Sequence, residues 1–146
     1  MEFQALTSID NASMLVKDRI ANFLFKHLDE YGDTKDDILN CLDYSLSPFR
    51  HQGGFVLLAK ENTRIIGAVV MNHTGMEGYI PENILVYIAV HKNHRGKGMG
   101  KKLMKKAIEL ARGDIALHVE PDNPARYLYE SLGFTSKYLE MRLKKS

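Results

Sequence analysis

Seven consecutive apolar residues, Ile84-Leu-Val-Tyr-Ile-Ala-Val90, lead within four positions into HRGKGMGKKLMKK, His94 to Lys106. The apolar run shows no alternation, so it reads as a strand covered on both faces. The basic run that follows carries three glycines and six Lys/Arg and no acidic residue. Beyond it, Met99, Leu103, Met104, Ala107, Ile108 and Ala111 recur at helical spacing. A buried strand, a glycine turn and a helix therefore follow in direct succession. The first N–H groups of such a helix have no internal partner, and its dipole adds positive character. Glycines keep side chains out of the way. The combination suits an anion, most simply a pyrophosphate. A glycine turn followed by a solvated basic helix face fits the glycine count equally well.

The rest of the chain organises around that unit. Phe3 to Ser8 reads as a short strand. From Asn11 the pattern is helical, with Leu15, Ile20, Phe23, Leu24 and Leu28 as its stripe and Gly32 as its stop. Thr34 to Ser45 forms a second helix with Ile38, Leu39 and Leu42 on one face, and Thr34 with Asp37 resembles a capping box. Phe55–Lys60 and Arg64–Met71 read as strands joined at Glu61-Asn62-Thr63. A loop runs from Asn72 to Pro81. Asp114 to Val119 is a further strand. Asn123-Pro124 opens a helix that runs to Leu132 and stops at Gly133. Short strands are expected at Thr135–Tyr138 and Leu139–Leu143. This mixture of segregated and alternating elements predicts an α+β fold, an α/β/α sandwich on a mixed sheet.

Several function classes fall away on composition and spacing. The chain has 146 residues, which fits a single domain over 1–146. Its net charge is only +2, weaker than a dedicated nucleic-acid binder usually carries. Seven Lys/Arg do lie between Lys92 and Lys106, but no aromatic residue interleaves them to stack bases. One cysteine, Cys41, permits no internal disulfide and reads as packing. No signal peptide and no membrane span is legible, so a cytoplasmic location is expected. A P-loop needs Gly-Lys-Ser/Thr after four residues from the first glycine, and Gly96 does not supply it. Gly96, Gly98 and Gly100 are one residue short of the dinucleotide fingerprint. His91 and His94 lack partners for a metal set, so no metal is expected.

Two blocks carry a resemblance. Arg95-Gly96-Lys97-Gly98-Met99-Gly100 is similar to the R/Q-x-x-G-x-G/A motif of the GNAT superfamily of N-acetyltransferases. Asn123, Ala125 and Tyr129, then Glu130-Ser131-Leu132-Gly133-Phe134, resemble that family's N-x-A…Y-E-x-x-G-F run. The separation of the blocks and the order of elements also look like that fold. The resemblance implies a mixed, mostly antiparallel sheet of about six or seven strands with about four helices. It implies acetyl-CoA as co-substrate, with its pyrophosphate on Arg95, Gly96, Lys97, Gly98, Met99 and Gly100. It implies backbone contacts to the pantetheine arm from Ile88, Ala89 and Val90, with the Val90 N–H facing the thioester carbonyl.

The same resemblance gives Asn123 a contact to pantetheine beside its role as helix cap. Tyr129 becomes either a packed core aromatic or the proton donor to the departing thiolate. His118, Glu120 and Glu82 are candidate bases for the acceptor amine. His118 stands where some family members carry a glutamate, five residues before the asparagine, and histidine suits neutral pH. A structural histidine bonded to backbone is the other reading, and a water chain alone could serve. The implied reaction is transfer of acetyl to a primary amine of a small molecule or peptide by direct attack. A non-catalytic CoA-binding or regulatory module of the same fold stays open, as does a homodimer through the terminal strands. No nucleic acid and no membrane is expected as partner. The acceptor pocket would be shaped by Asn11–Ser45 and Asn72–Pro81, whose carboxylates, such as Asp29, Glu30, Asp33, Asp36 and Asp37, suit a cationic amine.

Overall fold

In the computed structural model, which describes residues Met1–Ser146, five strands form one sheet in sequence order. They are β1 (Glu2–Leu6), β2 (Gly54–Glu61), β3 (Arg64–His73), β4 (Asn83–Val90) and β5 (Ile115–Leu117). Strands β1 to β4 are antiparallel neighbours, and β5 runs parallel to β4. The helices are α1 (Met14–Leu28), α2 (Lys35–Ser45), α3 (Met99–Leu110) and α4 (Ala125–Ser131). Asn62, with a left-handed φ of 57°, makes the tight β2–β3 turn, a conformation that asparagine tolerates better than most residues.

The apolar pattern of β4 is explained by two cores. On one face Ile20 and Leu24 of α1 and Ile38 and Leu42 of α2 pack on Val56, Leu58, Ala68, Val70, Tyr87 and Ala89. On the other, Leu103, Met104 and Ala107 of α3 and Tyr129 of α4 pack on Leu57, Val69, Met71 and Leu85. Leu85 and Tyr87 are two apart yet serve opposite layers. Val70 pairs with Tyr87 and Met71 with Leu85, so Val86 is an extra residue and the strand is bulged there. Each fully buried aliphatic side chain in these layers contributes about 1.5–3 kcal/mol.

Helix starts follow the expected chemistry with one exchange. Ser13 Oγ accepts the Val16 N–H, and Thr34 Oγ1 accepts the Asp37 N–H at 3.2 Å. The full reciprocal box sits instead at Thr7 and Asp10, where Asp10 Oδ2 accepts the Thr7 N–H at 2.8 Å. The α1 stripe is also rotated from expectation. Its buried residues are Ile20, Ala21, Phe23, Leu24 and His27, while Leu15 is exposed and Leu28 half-buried.

The sheet has five strands, below the six or seven expected, because Thr135–Tyr138 and Leu139–Leu143 do not pair. Leu139, Met141 and Leu143 alternate as a strand would but are 88–89% exposed. Alternation becomes a strand only against an edge that takes its hydrogen bonds and covers its apolar face. The edge strand β5 is three residues long. No helix is long and apolar enough to cross a membrane.

Candidate functional site

The site begins where β4 loses its neighbour. Pairing with β5 stops at Leu85–Leu117, yet β4 continues to Val90. The His91 N–H donates to Ile66 O at 2.8 Å, so that pair is hydrogen-bonded. Antiparallel pairs alternate, which leaves Val90 opposite Gly67 and Ile88 opposite Val69 as non-bonded pairs. Ile88 and Val90 therefore turn their backbone groups away from β3, into the gap that β5 leaves. Ala89, opposite Ala68, directs its own to β3.

The glycine loop closes the end of that gap. None of the backbone N–H groups from Arg95 through Lys101 donates to a protein acceptor. Gly96 and Gly98 both have φ of 77°, a left-handed backbone that L side chains rarely adopt. A Cβ on either would meet nothing within 4 Å, so the space before them is open. Gly98 precedes α3 directly, with no side-chain cap on the helix. A methyl at Gly100 would lie 3.3 Å from Leu128 and 3.9 Å from Val90, so this glycine lets α4 and the end of β4 meet at the start of α3. The loop and helix start thus offer unspent donors and room for an anion, which is the fit that a pyrophosphate requires.

Lys97, Lys101 and Lys102 are exposed around this loop. Arg95 is not a free cation beside them. Its Nε donates to Val90 O at 3.1 Å and its Nη2 to His27 O at 2.6 Å. The guanidinium ties the loop back to β4 and to the end of α1.

Tyr129 lies on α4, one residue after Leu128, and is 7% exposed. Burial alone pushes its hydroxyl up to about 12, so it stays protonated through the neutral range. Pro124 takes the cap position of α4 expected of Asn123, and Asn123 Oδ1 accepts the Ala125 N–H at 2.9 Å from one residue further back. His118 follows the last residue of β5 and is exposed. Of the other candidate bases, Glu120 is exposed, whereas Glu82 is occupied. Glu82 accepts the N–H of Asp114 at 2.7 Å and of Gly78 at 3.0 Å, which holds its carboxyl below the usual range. Glu82 is a brace between two loops.

Across the gap, the α1–α2 connection supplies tyrosine and carboxylates. Tyr31 Oη donates to Asp122 O at 3.4 Å, linking this connection to the segment before α4. Burial, then Glu30, Asp122 and Glu120, raise the Tyr31 hydroxyl. Tyr87 of β4 donates to Asp33 Oδ2 at 2.6 Å. Cys41 is half-buried against the first core, with its thiol raised by burial. No group of three or more His, Cys, Asp or Glu is arranged to hold a metal ion. A cavity of about 300 Å³ between β1, β2 and the start of α1 includes none of the candidate residues.

One buried side chain against the loop escaped the motif reading. His27 is 5% exposed and contacts the loop from behind, with its Nδ1 accepting the Lys92 N–H at 3.3 Å. The available signal was a histidine seven residues after Ile20 on the stripe of α1, where an apolar side chain is ordinary.

The Acetyltransferase (GNAT) family profile matches residues 14–134, which include the open end of β4, the glycine loop and the Asn123–Phe134 block. N-alpha-acetyltransferase 30 of Schizosaccharomyces pombe is 32% identical over 85 residues, covering 55% of this chain and 57% of that protein. The match therefore spans little more than half the length of that relative. Aminoglycoside 6'-N-acetyltransferase AAC(6')-IG of Acinetobacter haemolyticus has a TM-score of 0.69 at 19% identity, over 100% of this chain and 99% of the other. Aminoglycoside N-acetyltransferase AAC(6')-Iy, solved in complex with CoA, has a TM-score of 0.67 at 16% identity, over 99% and 95%. At these identities the two structures attest the fold. Through the profile match over most of its length, the chain belongs to the GNAT family of acetyltransferases.

Proposed function

We propose that this chain, folded as one domain, transfers the acetyl group of acetyl-CoA to a primary amine. The observation that carries the reading is the run of unspent N–H groups from Arg95 to Lys101 beside an unpaired length of β4. The loop binds the pyrophosphate, and Lys97, Lys101 and Lys102 add field. Ile88 and Val90 bind the pantetheine arm as a neighbouring strand would, and Asn123 supports it from the start of α4.

The amine nitrogen attacks the acetyl carbon, and the Val90 N–H faces the oxygen on which negative charge develops. His118, directly or through water, takes the proton that the amine gives up. The carbon–sulfur bond breaks, and Tyr129 gives its phenolic proton to sulfur. A neutral phenol offers its hydrogen throughout the physiological range, and solvent returns the proton afterwards.

The acceptor approaches from the α1–α2 side. Glu30, Glu120 and Asp122 all act on the Tyr31 hydroxyl from two different segments, which supports a cationic amine there. The relative named above suits an α-amino group and the structural neighbours suit an aminoglycoside amine. An acceptor panel of N-terminal peptides and aminoglycosides, read by thiol release, separates them. Calorimetric titration with acetyl-CoA tests the reading as a whole, and absence of binding ends it. His118→Gln is expected to slow turnover while acetyl-CoA affinity holds. Unchanged turnover removes His118 from the mechanism.

A further inference from the structure

The anion loop has a back as well as a front. Its forward-facing N–H groups, Arg95 to Lys101, meet no protein acceptor. The residues just before them are fixed from behind by a helix of the opposite layer. His27 Nδ1 accepts the Lys92 N–H at 3.3 Å, and its carbonyl accepts Arg95 Nη2 at 2.6 Å. The same guanidinium donates to Val90 O at 3.1 Å, which ties the end of β4 into the arrangement. His91 Nδ1 accepts the Asn93 N–H at 3.1 Å, and the His27 and His91 rings stand 4.3 Å apart. Phe23 also packs on His27, at 4.7 Å between ring centroids.

The chemistry of each contact is specific. An accepting Nδ1 requires a neutral ring with its proton on Nε2. Burial first, then the charges of His91, Lys26, Arg95 and Lys92, lower His27 to about 4, so the neutral form prevails. His27 lies in the last turn of α1, whose final carbonyls lack helical partners. A guanidinium at that end satisfies one of them and meets the negative end of the dipole.

We propose that His27 is a positioning residue for the anion loop: through Lys92 and Arg95 it sets the direction of the N–H groups that meet the phosphates. The functional consequence rests on the acetyl-CoA reading above, whereas the loop's fixation does not. His27→Phe keeps the ring packing and removes the acceptor. His27→Asn restores an acceptor oxygen at a similar reach. Two readouts apply to both variants: acetyl-CoA binding and kinetics, and hydrogen–deuterium exchange of the Lys92–Lys101 amides without nucleotide.

His27→Phe is expected to exchange faster at Lys92 and through the loop and to raise the Kd and KM for acetyl-CoA about tenfold. Its kcat at saturation should stay within about twofold, because no group at the reacting atoms has moved. His27→Asn should lie close to wild type. Arg95→Met removes the second tether, from the guanidinium to the His27 carbonyl and Val90 O, and moves the same readouts in the same direction. His27→Leu also lacks the acceptor and replaces His27→Phe should that variant fail to fold. Wild-type exchange and affinity in His27→Phe, or in His27→Leu where only that variant folds, overturn the proposal. Equal losses in His27→Phe and His27→Asn overturn it as well. If wild type binds no acetyl-CoA, the functional reading fails and the exchange measurements alone decide whether His27 fixes the loop.

Discussion

The two ends of β4 are built from similar materials and use them in opposite ways. At the N-terminal end, most polar groups are spent within the protein, with the buried Asn83 Oδ1 the exception. Glu82 accepts from Gly78 and Asp114, the Thr74 hydroxyl donates to Pro81 O at 2.9 Å, and Asn83 Nδ2 donates to Arg112 O at 2.7 Å. Gly113 makes this closure possible, since a Cβ there would stand 2.5 Å from Glu82 Oε1. At the C-terminal end, Gly96 and Gly98 face empty space and the donors from Arg95 to Lys101 stay unspent. A closed loop stabilises a fold. An open one, held from behind by His27 and Arg95, is available to a ligand. The difference lies in which donors meet acceptors, and glycine content does not separate the two ends.

Substitutions at each end should separate these roles, and the largest effect belongs to the open loop. Gly98→Val places a branched side chain where φ is 77° and fills the cradle. Acetyl-CoA affinity should fall roughly 1,000-fold, about 4 kcal/mol, by calorimetry. Near-normal affinity would mean that the phosphates bind elsewhere. Next comes Tyr129→Phe. Turnover should fall about 100-fold while the Kd for acetyl-CoA stays within about twofold. Equal losses in both would make Tyr129 a packing residue.

The closed end should answer to stability alone. Glu82→Gln should lower the Tm and leave acetyl-CoA affinity unchanged. The sign with pH follows from the lowered folded-state carboxyl. The advantage of wild type is full above the unfolded glutamate value of about 4.3 and disappears as pH falls through the lower folded value. Thermal melts at neutral pH and at pH stepped down below the unfolded glutamate value should show the gap and then its loss. A gap that persists in acid would make the brace non-ionic. The smallest effect is expected at Lys101→Ala, whose cation is exposed. Acetyl-CoA affinity should drop about two- to fivefold at low salt and less at high salt. A salt-independent loss would point to a direct, desolvated contact.

Much of this architecture was legible one residue at a time. The unbroken apolar run of β4 announced two covering layers, and the structure supplies both. Thr34 caps α2 as expected, while Asn123 takes the first N–H of α4 from one residue before the cap position. The pair of motifs, Arg95–Gly100 and Asn123–Phe134, led to the GNAT family, which the profile match establishes. The failures share a cause. Leu139, Met141 and Leu143 carry a strand pattern, but a strand is completed by a partner, and periodicity cannot supply one. Arg95 reads as one more cation for an anion, yet its side chain turns back to Val90 and His27. Glu82 reads as a base, yet two backbone N–H groups occupy it.

The sequence by itself determined most of the local elements and the strand–glycine–helix unit, because propensity, capping and backbone freedom act over a few residues. The tertiary structure alone decided which polar groups are spent. A hydrogen bond between His27 and Lys92 spans 65 positions, and one between Glu82 and Asp114 spans 32. Such pairs form only once packing has brought the elements together, and what they leave unpaired is the candidate site.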